Sequence, residues 1–110
     1  MATSNDYRAQ TRQMLHELVI PAHWLGYKVL CEAIPLYAEN CRQSITKELY
    51  PALAKRFGYA SIHSVEHPIR YAVSCAWERR DAEIWDAYFP RQEKAPSNLL
   101  FIATLAEYLK

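Results

Sequence analysis

SIHSVEHPIRYAVSCAW, residues 61–77, has two unlike faces when wound into a helix. Val65, Ile69, Ala72, Val73, Ala76 and Trp77 recur at i, i+4, i+7, i+8, i+11 and i+12, which makes one apolar stripe. His63, Glu66, His67, Arg70, Tyr71 and Ser74 fall on the opposite side. Most amphipathic helices offer water a plain Lys/Glu surface. This one offers hydrogen-bonding groups of medium length, suited to touching something specific. The stretch reads as a candidate DNA recognition helix, and the rest of the chain as its support.

The composition fits an all-α support. A chain of 110 residues makes one domain. Half of it is hydrophobic and 13% is aromatic, enough for a real core, while only two glycines and few β-branched runs argue against sheets. Net charge is only +1, weak for a nucleic-acid binder, so positive charge must be gathered on one side. Cys31, Cys41 and Cys75 are odd in number and form no CxxC pair. They imply neither a disulfide framework nor a zinc ribbon, but reduced thiols in a cytosol. No apolar run approaches the ~20 residues of a membrane span, and the N-terminus lacks the apolar core of a signal peptide. A cytoplasmic protein with no membrane contact is expected.

Working outward, Gly58 closes the preceding segment SITKELYPALAKRF, residues 44–57. Ile45, Leu49, Ala52, Leu53 and Phe57 form its apolar stripe, and Pro51 in mid-segment should bend it. Ser44 and Glu48 stand one residue too far apart for a capping box. Two helices joined by the short turn 58–61 make a helix-turn-helix candidate. Further upstream, Tyr7, Thr11, Met14, Leu15 and Leu18 give one face of a first helix that ends near Val19, with Ser4 or Asn5 as its cap. Pro21 marks a break. A second helix starts at His23 or Trp24 and reaches Tyr37, with Trp24, Tyr27, Leu30, Cys31 and Ile34 inward. Gly26 marks close packing there, and Pro35 should kink or split the helix. Downstream, residues 81–89 read as a short helix with Ile84, Trp85 and Tyr88 inward, followed by the loop 90–96. Ser97 caps a last helix whose buried side is Leu100, Phe101, Thr104, Leu105, Tyr108 and Leu109.

Four ordered blocks then carry a resemblance: IPAHWLGYKVLCEAI (20–34), ITKELYPALAKRFG (45–58), VEHPIRYAVSCAW (65–77) and PSNLLFIATLAEYL (96–109). Together they resemble the C-terminal effector domain of the response regulator that initiates sporulation in endospore-forming Firmicutes. The resemblance covers residues 14–110. It leaves 1–13 as an N-terminal extension and the start of the first helix, and no receiver domain is present in the sequence. It implies a compact six-helix domain with a helix-turn-helix and a recognition helix at about 62–78 in the major groove. It also implies sequence-specific binding to double-stranded DNA, a homodimer on tandem or overlapping sites, and contact with the RNA polymerase sigma subunit. No metal or cofactor is implied. Carried over position by position, the base-facing residues are His63, Ser64, Glu66, His67, Arg70 and Tyr71. The chain departs from the family at several of them. The family has Arg where this chain has Ser64 and His67, and His where it has Tyr71. Pro68 replaces a small helix former; it is harmless if the helix begins near Ser64 and a kink if it begins at Ser61.

Arg70 is the best candidate for a bidentate contact to guanine. The plainer alternative is a pair with Glu66, four residues earlier, and Glu66 is read here as orienting Arg70. His63, Glu66 and His67 formally spell the H-x-x-E-H zinc-enzyme string, but no third ligand is evident and two surface histidines are the simpler reading. Lys47, Lys55, Arg56, Arg79 and Arg80 are candidate phosphate contacts, weighed against a solvated rim and, for the last two, a helix-dipole role. There is no GxSxG, no glycine-rich phosphate loop and no visible Cys–His pair, so an enzyme is not expected; Cys75 reads as an inert thiol. The alternative function is a protein-interaction module that dimerises with or antagonises a full-length relative. Tyr59, Trp85, Tyr88 and Phe89 are its candidate surface, or else core.

Overall fold

The computed structural model describes residues 4–109, and among them it is all helical. The long middle helix α2 (Leu25–Glu39) organises the rest: α1 (Ser4–Glu17), α3 (Tyr50–Phe57), α4 (His63–Glu78) and α6 (Asn98–Ala106) all pack on it. A π-helical turn, Ile45–Leu49, leads into α3, and α5 (Ala82–Tyr88) joins α4 to the loop before α6. Helix α2 buries Tyr27, Val29, Leu30, Ala33, Ile34, Pro35 and Tyr37, more of its circumference than the expected single stripe. A helix surrounded by partners must be apolar nearly all round. Pro35 does not split it. The ring is buried in the core, and its absent N–H forgoes one backbone bond while the helix continues to Glu39.

Gly26 is buried where α2 crosses α4. A Cβ at this position would overlap the Pro68 carbonyl and come within 2.7 Å of the Ala72 methyl carbon. Glycine here lets two backbones approach closely, as the sequence reading expected. On the other side of α2, Glu32 accepts from both Arg8 of α1 and Arg56 of α3, each at 2.7 Å. Helix α1 buries Thr11, Met14 and Leu15, with Leu18 buried just past its end, and the Thr11 hydroxyl donates to the Tyr7 carbonyl at 2.7 Å. Capping by Ser4 or Asn5 concerns side chains outside the described residues.

Pro51 does not bend α3 in mid-course. It sits in the first turn, directly after the π-helical turn. The Leu49 N–H reaches the Ser44 carbonyl at 3.0 Å, so the ring of hydrogen bonds is widened by one residue ahead of the proline. Ser44 caps this turn without Glu48, accepting from the Lys47 N–H at 3.1 Å.

Asp81 and Ser97 cap α5 and α6 through their side-chain oxygens. Trp85 and Phe89 are enclosed; Phe89 stacks on Phe101, while Trp85 lies tilted to Phe101 and edge-on to Trp77. They are core, which removes them from the candidate interaction surface and leaves Tyr59 and Tyr88 half-buried. Helix α6 buries Phe101, Ile102, Leu105 and Ala106, whereas Leu100 and Tyr108 are exposed. The expected stripe assumed one lining surface. The observed helix packs on both α2 and α4 and ends at Ala106, so its buried arc is rotated. Among the described residues, no helix is long and apolar enough to cross a membrane.

Candidate nucleic-acid interface

Helix α3 stops because Gly58 adopts a left-handed conformation, φ 74°. The Tyr59 N–H then returns to the Ala54 carbonyl at 2.8 Å, satisfying the helix end. The chain turns through residues 58–62, and α4 begins at His63 without a side-chain cap. Val65, Ile69, Ala72, Val73 and Ala76 seat α4 on α2, α3 and α6, each with at most 1% of its surface exposed. Pro68 lies inside the helix without ending it. Asn98, at the start of α6, adds a polar anchor. Its amide donates to the Glu66 carbonyl at 3.2 Å and to the Tyr50 hydroxyl at 3.1 Å. Burial pushes the Tyr50 phenol's pKa up, so its hydroxyl stays protonated within this contact.

Five of the six residues predicted to face bases are exposed along α4: His63, Ser64, His67, Arg70 and Tyr71. Glu66 is partly buried at the edge and forms an ion pair with Arg70, as the i, i+4 spacing suggested. The His63 and His67 rings stand 5.7 Å apart. Beside Arg70 opens a cleft of about 420 Å³, walled by Ser44, Thr46, Tyr50, Glu66, Asn98 and Leu99. This edge of α4 is concave and carries the ion pair.

The opposite edge is aromatic. Tyr71 is 64% exposed, and its ring lies 5.6 Å from that of Trp24. The Arg79 guanidinium sits over the same indole, 5.3 Å from its centroid. Contact with the Cys75 thiol raises the pKa of the Tyr71 phenol. The sequence reading placed Trp24 in the core. It is only half-buried, because α2 begins immediately after it and Gly26 has already drawn α2 onto α4.

The five predicted phosphate contacts are all exposed but not equivalent. Lys47 and Lys55 make no ion pair among the described residues. Arg56 is held by Glu32, Arg79 by Trp24, and Arg80 lies 3.7 Å from the Trp77 ring centroid while donating to the Trp77 carbonyl at 2.8 Å. Three of the five cations thus have side-chain contacts, and two make no ion pair among the described residues.

An all-helical domain that seats one long helix on three others, and leaves that helix's hydrogen-bonding face open, has the form of a DNA-binding effector domain. The chain belongs to the family described as Sporulation initiation factor Spo0A C terminal, which matches residues 11–109. The family is DNA-binding, not catalytic, and serves transcription regulation in sporulation.

Proposed function

We propose that this chain is a sequence-specific transcription regulator in which α3, the turn 58–62 and α4 form a helix-turn-helix, and α4 enters the major groove. One observation carries the reading: α4 is clamped along its whole apolar side yet leaves a continuous exposed row of donors and acceptors, His63, Ser64, His67, Arg70 and Tyr71. A helix packed on its apolar side, with a polar face exposed on the other, matches what base-edge readout requires. Arg70, aimed by Glu66, is assigned to guanine, and Lys47, Lys55, Arg56, Arg79 and Arg80 to phosphates. In this reading two copies occupy adjacent sites on DNA, and the RNA polymerase sigma subunit is the protein partner.

A second reading, a protein-interaction module, draws on one fact. Arg70 is the only full positive charge between His63 and Trp77, and Glu66 already neutralises it. A duplex selected from a random pool, compared with its scrambled version across a salt series, separates the two. The regulator binds the selected duplex preferentially, and log K falls with log salt by ~0.9 for each phosphate neutralised. Failure to bind any duplex at low salt would favour the interaction module.

A further inference from the structure

We propose that the Tyr71 edge of α4 is a reader of 5-methylpyrimidine: the Tyr71 ring packs on the C5-methyl of a thymine in the major groove, and Trp24, from outside α4, is the residue that positions it. This rests on the reading of α4 as the recognition helix. Three observations support it. Among the described residues Tyr71 is the most exposed of the large hydrophobic side chains, although it sits on the row proposed to face bases. A ring so exposed on a helix would ordinarily sample several rotamers. This one is braced by Trp24 at 5.6 Å, with Arg79 on the same indole and Cys75 one turn further on. The edge therefore offers an apolar surface bounded by one cation, whereas the Arg70 edge offers an ion pair beside a cleft of mixed lining. Among base edges in the major groove, only thymine presents a methyl group, and apolar contact is how that group is recognised. The cation held over Trp24 lies at the end of α4, placed to meet a phosphate flanking that base.

The test uses the full chain and a duplex selected from a random pool. Each thymine is replaced in turn by uracil, which removes the methyl and nothing else. At one thymine per bound copy, uracil should weaken binding about fourfold, the weight of one buried methyl. That sensitivity should persist in Tyr71→Phe and vanish in Tyr71→Ala. In Trp24→Leu it should shrink even where the melting temperature and the salt slope are unchanged, which a merely structural tryptophan would not produce. A uracil scan without effect on a chain that binds its duplex overturns this proposal and leaves the regulator reading intact. So does a methyl effect that survives in Tyr71→Ala, or one lost in Tyr71→Phe. A chain that binds no duplex overturns both.

Discussion

On one side of α4, Val65, Ile69, Ala72, Val73 and Ala76 are sealed from water; on the other, His63, His67, Arg70 and Tyr71 face it. The same sixteen residues thus answer to two different demands. The inner row is fixed by shape: it must fill space between α2, α3 and α6, and even a backbone carbonyl, that of Pro68, lies against the bare Cα of Gly26. The outer row is exposed, and little of it is buried in the core. Its only described ion pair, Arg70 with Glu66, is the exposed kind that contributes little to stability. Substitutions on the two faces should therefore separate into two readouts, stability within and affinity without.

The largest effect is expected at Ile69, which is fully enclosed. Ile69→Ala should cost about 2–5 kcal/mol of stability, seen in denaturant titration, with little change in affinity for DNA per folded molecule. An affinity loss at full folding would break the division between the faces. Gly26→Ala should come next. Its methyl has no room, and overpacking of this kind costs about 1–3 kcal/mol. Because it pushes on the backbone of α4 rather than on a side chain, it should also weaken DNA binding, which makes it the one inner-face change that crosses over. Arg70→Ala should do the reverse of Ile69→Ala. A lost bidentate base contact corresponds to about 1–3 kcal/mol of binding and relaxed preference at one base pair, while stability changes by less than about 0.5 kcal/mol. Equal weakening on every sequence would reassign Arg70 to a phosphate.

The smallest effect lies on neither face. Burial, and donation to the Glu17 carboxylate at 2.7 Å, push the Tyr88 phenol up to about 12. A tyrosine in an unfolded chain titrates near ~10. Folding therefore favours the neutral phenol, and this contribution is complete below pH 10 and lost as the pH climbs to 12. Tyr88→Phe should flatten the fall in melting temperature across that window and barely alter DNA binding at neutral pH. If the two proteins lose stability in parallel, the Glu17 contact is not formed.

The inner face of α4 was legible in the sequence because its period is undisturbed over the whole helix. The Arg70–Glu66 pair was legible for the same reason, since neighbours on a helix are four residues apart. Gly58 and Gly26 announced themselves, one as a stop and one as a close contact. Three things were not legible. The central role of α2 was hidden because periodicity looks for one apolar side, and a helix covered by several neighbours has no single side. The rotation of α6 was hidden because Leu100 and Tyr108 suit a core on composition alone; only the position of α2 and α4 decides that Ile102 and Ala106 go inward instead. The aromatic edge was hidden because Trp24 and Tyr71 are brought together by the packing of α2 on α4, and neither residue signals the other in the chain. Pro51 did mark an irregularity, but a π-helical turn and a bend have the same sequence signature.

Asn98 holds one further consequence. Its amide bridges the Glu66 carbonyl of α4 and the Tyr50 hydroxyl of α3, while Gly26 receives the Pro68 carbonyl from the other flank. Both supports come from outside residues 45–78. That segment is consequently not a portable cassette. Grafted into another helical scaffold, it would carry the sequence of α4 without the brackets that set its height and tilt. An engineer who wished to move α4 in its native setting would have to move α6's first residue and the start of α2 along with it.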